Sequence, residues 1–397
     1  MKRFLTAALA ALFLFSLASC GVPGASTAPS SDGSPSGAAA SGSRSAASSS
    51  DSDSSGKKPT DWDLAQQRMD SMTLEEKVGQ LFFVRCPADN AVGDVSKYHL
   101  GGYLLFGRDT QDKTADDVIQ TIADYQAAAG DIPLLIGVDE EGGTVVRVSS
   151  NARLRAEKYQ SPQQLYQAGG MEAVTEDAHR KDLLLKGLGF NVNFAPVADV
   201  STDSQDFIYS RSFGRSAEDT AAYVAAVVSQ MHRDGMGSVL KHFPGYGNNK
   251  DTHTGISVDR RSLRSFLASD FLPFRAGITA ADGTGAVLVS HNIMESVDQT
   301  LPSSLSPGVH ILLRQQLGFH GVAMTDDLAM DAVAAYASDG AVAVLALKAG
   351  NDMVLTTDYR AQIPNVVEAV SDGALAERVI DTACTRVLLW KMELGLL

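Results

Sequence analysis

The chain has 397 residues and 44% hydrophobic content, too long for a minimal domain and rich enough for one large core. Its formal net charge of −14 excludes the basic footprint of a nucleic-acid-binding surface, so no nucleic-acid partner is expected.

Residues 1–20 read as an export signal. Lys2 and Arg3 form a positive start, and residues 4–18, FLTAALAALFLFSLA, form an apolar run. That run is shorter than the ~20 residues of a comfortable membrane span. It ends in Leu17-Ala18-Ser19-Cys20, which resembles a bacterial lipobox, with Cys20 as the lipidated residue of the mature chain. A diacylglycerol on Cys20 supplies two acyl chains, the number that stable anchoring requires. The expected partner at this end is therefore a membrane, reached through an N-terminal lipid at the outer face of the cell membrane. Residues 21–58 are almost wholly Gly, Ser, Ala, Pro and Asp. They have little to bury and read as a disordered linker, a coil of about 35 Å r.m.s. span.

From residue 59 to 397, strand-like and helix-like segments alternate. The apolar runs are 78–86, 101–106, 133–139, 192–200, 237–245, 286–294, 320–328 and 352–358. Several are nearly continuous, as strands buried on both faces should be. Helical patterns lie between them. Thr73 and Glu76 have capping-box spacing. Residues 114–130 place Val118, Ile119, Ile122 and Tyr125 on one stripe. Residues 216–235 open with Ser216 and Asp219 and close on Gly235, a natural C-terminal cap. Eight such units predict an α/β fold, a single (β/α)8 TIM-type barrel; an open doubly wound sheet is the rival. Cys86 and Cys384 sit in apolar contexts and read as buried free thiols.

Polar residues collect at the C-terminal ends of these strands: Asp139, Asp199, Lys241-His242, His291-Asn292, Asp326-Asp327 and Asp358. In a barrel those ends make one face, where active sites form. Residues 241–255, KHFPGYGNNKDTHTG, hold two of the 8 histidines in the chain. The Asp251-x-His253 spacing lets a carboxylate orient an imidazole for general acid/base work. A metal site built from His242, Asp251 and His253, or a solvated Asp–His pair, would use the same residues. Asp326 emerges from the seventh run and can attack an anomeric carbon. Asp327 reads as its structural neighbour or a helix cap.

VDEEGG (138–143), APVADV (195–200), SRSFG (210–214), KHFPGYG (241–247), DTH (251–253) and MTDDLAM (324–330) occur in this order. Together they resemble glycoside hydrolase family 3, in its β-N-acetylhexosaminidase branch, over residues 60–397. The resemblance implies Asp326 as nucleophile and His253, paired with Asp251, as acid/base. It implies Asp139, Arg147, Arg211, Lys241 and His242 as sugar-binding residues; His291 and Asp327, by their place at the strand ends, are further candidates for lining the site. It implies neither metal nor organic cofactor. The chain departs from the family loop at Tyr246, where histidine is common, at Asn248-Asn249, and at Thr144, where arginine often stands. The expected activity is retaining removal of terminal β-linked GlcNAc from peptidoglycan-derived fragments or chitooligosaccharides. A phosphorylase on the same scaffold and a catalytically dead sugar-binding lipoprotein are the alternatives. The sequence leaves the oligomeric state open.

Overall fold

The computed structural model describes residues 59–252, 255–336 and 342–397. The export signal, Cys20, the linker and His253 lie outside the described residues.

Eight parallel strands form one sheet: β1 (Phe82–Arg85), β2 (Gly102–Leu105), β3 (Leu135–Val138), β4 (Val192–Asn193), β5 (Gly237–Phe243), β6 (Gly285–Val289), β7 (Val322–Thr325) and β8 (Val354–Thr356). Their order around the sheet follows the chain, with β8 beside β1. Met324 of β7 bridges Met353, beside β8, so the sheet closes on itself as a (β/α)8 barrel. Every expected apolar run contributes its strand. The runs overshoot, however: Val78–Gln80 lie in the helix Leu74–Gln80, and residues 195–200 and 326–328 are loop.

The helices behave as their termini dictate. Thr73 and Glu76 complete a reciprocal capping box. Ser216 accepts from the Asp219 N–H, the forward half of a box alone, ahead of the helix Ala217–Asp234. Gly235 ends that helix at φ 66°, a region that favours glycine. In the helix Ala115–Ala129, Val118, Ile122 and Tyr125 are buried, whereas Ile119 faces solvent. Ile119 corrects the expected stripe: it sits one residue, or about 100° of helix, from Val118. Cys86 and Cys384 are buried free thiols, whose pKa values burial pushes up to about 11 and about 12. Among the described residues no helix is long and apolar enough to cross a membrane.

One buried charge gives a stability prediction. Lys391, on the helix Glu377–Glu393, is fully buried, and its ammonium donates to Gln80 Oε1 at 2.6 Å. Burial lowers its pKa from 10.5 to about 7. The cost of the buried charge is complete below pH 7 and fades as pH rises to 10.5, where the unfolded chain also loses its proton. A tenfold change in proton affinity is worth about 1.4 kcal/mol. Lys391→Met is therefore expected to melt above the parent at pH 6, with the difference shrinking by pH 9. Thermal denaturation at both values checks this.

Candidate active site

Three connections stand at the C-terminal face: residues 139–161 after β3, 194–216 after β4 and 244–252 after β5. A cavity of about 310 Å³ opens there, at the small end of ligand pockets. Asp139, Arg147, Arg211, Lys241, His242, Asp326 and Asp327 all line it, with Phe106, Phe194, Leu288, Met330 and Leu355 among its apolar walls. Candidates from the third, fourth, fifth and seventh units thus share one space.

The first loop is held by a residue the sequence reading passed over. Buried Glu140 accepts the N–H groups of Arg147, at 2.7 Å, Val148, at 2.7 Å, and Ser149, at 3.2 Å, and also the Ser149 hydroxyl. Gly142 follows at φ 103°, and a Cβ there would stand 2.2 Å from the Gln160 carbonyl oxygen. This explains the paired glycines of VDEEGG. The loop carries Arg147 to the cavity wall, its guanidinium carbon 5.6 Å from the centre of the Phe106 ring. Arg85, at the end of β1, lies 4.3 Å from the same ring. The Nε atoms of Arg85 and Arg147 are buried with no hydrogen-bond partner among the described residues.

The centre of the polar cluster is a chain of charges. Lys241 Nζ lies 2.6 Å from Asp139 Oδ1 and 2.6 Å from Glu141 Oε1. Arg211 grips Glu141 with two donors, Nε at 3.0 Å and Nη2 at 2.7 Å, and Nη2 also reaches His242 Nε2 at 3.2 Å. Asp199 accepts from the His242 N–H at 3.0 Å and lies 2.7 Å from Nδ1 through the same oxygen. Burial would raise the pKa of Glu141, but Arg211 and Lys241 outweigh it and hold the carboxyl well below the usual range. Glu141 also outweighs burial at Arg211, whose pKa is raised. Lys241 and His242 are consecutive, yet both face the cavity. The ladder between β5 and β6 shifts register between Leu240 and Phe243, which breaks the strict alternation of a strand.

Asp326 follows β7 directly. Its N–H donates to the Val289 carbonyl at 2.9 Å, extending the ladder, and its Oδ1 accepts from the Asp327 N–H at 2.9 Å. Asp327 does not cap the helix Asp331–Ala334; its Oδ1 accepts from the Ala329 N–H, a local turn. His291 corrects the expected lining. It is fully buried outside the cavity wall, with Nδ1 2.7 Å from Ser304 Oγ and Nε2 3.0 Å from the Asp327 carbonyl oxygen. It holds the turn that displays Asp326 and Asp327.

Asp251 is half-buried on the third loop. Tyr246 connects this loop to the cluster. Burial raises the pKa of its phenol, and the negative charges of Asp326, Asp199 and Asp251 push the same way. Asp199 holds both the Tyr246 N–H and His242, so this loop is fastened beside the cavity that His242 and Asp326 line.

The chain matches the glycosyl hydrolase family 3 N-terminal domain over residues 73–389. The chain belongs to glycoside hydrolase family 3. It is 32% identical over 333 residues to the beta-hexosaminidase LpqI of Mycobacterium tuberculosis, covering 81% of this chain and 83% of that protein. It is 35% identical over 303 residues to a beta-hexosaminidase of Xanthomonas campestris pv. campestris, covering 75% of this chain and 87% of that one. A solved family 3 β-N-acetylglucosaminidase from Paenibacillus sp. str. FPU-7 superposes with a TM-score of 0.76 at 31% identity, over 82% of this chain and 63% of that longer one. The solved structure of M. tuberculosis LpqI gives 0.74 at 30% identity, over 81% and 95%. This family 3 member is a glycoside hydrolase on a (β/α)8 barrel.

Proposed function

We propose that the protein is a retaining exo-β-N-acetylglucosaminidase. One observation carries the mechanism: Asp326 opens on the same cavity as the Asp139–Lys241–Glu141–Arg211–His242 cluster. The cluster offers carboxylates that accept from sugar hydroxyls and cations that donate to them. In the first step Asp326 attacks C1 and forms an ester while His253, oriented by Asp251, protonates the departing oxygen. In the second step His253 takes a proton from water, whose oxygen attacks C1 and releases Asp326. The hexosaminidase and glucosaminidase names of the relatives support hydrolysis of β-linked GlcNAc over phosphorolysis or simple sugar binding. Candidate substrates are peptidoglycan-derived fragments and chitooligosaccharides.

The test is colour release from p-nitrophenyl β-GlcNAc, followed by mass identification of products from muropeptides and chitobiose, in water and in phosphate. Free GlcNAc is the expected product throughout; GlcNAc-1-phosphate in phosphate buffer would move the enzyme to the phosphorylases. His253→Ala is expected to lower kcat/KM by about 10²–10⁴ on chitobiose and far less on a dinitrophenyl glycoside, whose leaving group needs no proton. Equal losses on both would remove His253 from the acid role.

We further propose that the enzyme works at the outer face of the cell membrane, tethered by a lipid on Cys20. The positive start, the short apolar run and the lipobox-like Leu17–Cys20 support this. Detergent phase partitioning of the full chain is expected to place it with the detergent, and Cys20→Ala to prevent that.

A further inference from the structure

Residues on strand ends are positioned by the barrel. Asp251 stands on a loop, where position must be supplied by side chains. The contacts of Tyr246 supply it. Its N–H donates to Asp199 Oδ1 at 2.8 Å, while the other oxygen of Asp199 holds His242. Its ring meets that of His242 edge-on at 5.1 Å and that of Phe207 at 5.7 Å. Its carbonyl accepts from Asn249, through the backbone N–H at 3.0 Å and Nδ2 at 2.9 Å. Its hydroxyl lies 2.6 Å from Thr252 Oγ1. Tyr246 is 1% exposed and Thr252 0%, so no water replaces either partner without rearrangement. Thr252 is the residue between Asp251 and His253.

We propose that Tyr246, through the hydroxyl bond to Thr252, is a positioning residue for the acid/base pair that Asp251 and His253 make in the proposed mechanism. The proposal rests on the acid/base reading above. It ties the dyad to the sugar-binding cluster through one continuous path: His242, Asp199, Tyr246, Thr252. Without the hydroxyl, other positions of the loop compete with the working one. Proton transfer then suffers, whereas attack by Asp326 does not.

Tyr246→Phe keeps the ring and removes the hydroxyl. On chitobiose, whose leaving oxygen needs a proton, kcat/KM is expected to fall about 10–100-fold, part of the usual general-acid contribution. On 2,4-dinitrophenyl β-GlcNAc it stays within about twofold, by the same reasoning. The second step, in which His253 takes the proton from water, slows, so kcat on the dinitrophenyl substrate falls; azide restores it, its nitrogen attacking C1 and displacing Asp326 with no proton to give up, and the product is the glycosyl azide. Thr252→Val follows Tyr246→Phe, Thr252→Ser stays near the parent, and adding Tyr246→Phe to His253→Ala costs nothing further. Equal loss on both substrates, or loss of melting temperature alone, while His253→Ala retains its leaving-group pattern, overturns the role of Tyr246 and leaves the dyad standing. If His253→Ala lacks that pattern, the dyad reading fails and takes this proposal with it.

Discussion

Asp326→Asn is expected to lose on the order of 10⁴-fold in kcat on p-nitrophenyl β-GlcNAc, the scale seen when a group acting on the reacting atom is removed. An amide oxygen is too weak a nucleophile to form the glycosyl ester. The fold should survive. Asp326 Oδ1 accepts from the Asp327 N–H, which an asparagine oxygen can also accept, and its own N–H stays on the Val289 carbonyl. Steady-state kinetics beside a melting curve separate the two effects. A variant that melts like the parent and turns over at full speed would put the nucleophile elsewhere.

Glu141→Gln is expected to damage both stability and catalysis. Glu141 is 3% exposed at the side chain and contacts two cations, Lys241 and Arg211, each itself mostly buried. Removing one charge from such a set leaves the others uncompensated, at a cost of about 3–5 kcal/mol. The parent keeps this interaction into acid. The carboxyl's pKa is held below the usual range, so its contribution is present above the ordinary carboxylate pKa and is lost only as pH falls through the lower value. Loose placement of Lys241 and Arg211 is expected to lower kcat/KM by about 10²-fold. Asp139→Asn is the contrast. Asp139 is more exposed, at 15%, with a 2.6 Å contact to Lys241, so it should lose kcat/KM with little change in melting. If Glu141→Gln and Asp139→Asn melt alike, the buried triad does not carry the stability assigned to it.

The barrel was legible because each parallel strand is buried on both faces and so writes a nearly unbroken apolar run. The ends were less legible. Val78–Gln80 continue such a run but form a helix, since four or five apolar residues carry no period of their own. Ile119 shows the same limit in a helix, where a stripe one residue too wide reaches solvent. At the site, strand-end placement pointed to Asp139, Lys241, His242 and Asp326. Glu141 was hidden in a run of three acids, although it stands two residues from Asp139, the spacing that returns a side chain to the same side of extended chain. The Asp199–His242 contact needs β4 and β5 to be neighbours, which no local pattern states. His291 carried the signal of a site residue and proved to be its support. Tyr246 stood out as a departure from the family loop, but its partner is set by how the loop folds back.

The most direct test of the central claim is capture of the glycosyl-enzyme. A 5-fluoro GlcNAc fluoride slows both chemical steps through its ring fluorine, while its good leaving group lets the first proceed, so the ester accumulates. Intact mass should rise by one fluorosugar, and peptide mapping should place it on Asp326. A sugar found on another residue, or unlabelled enzyme releasing product of inverted anomeric configuration, would contradict the account.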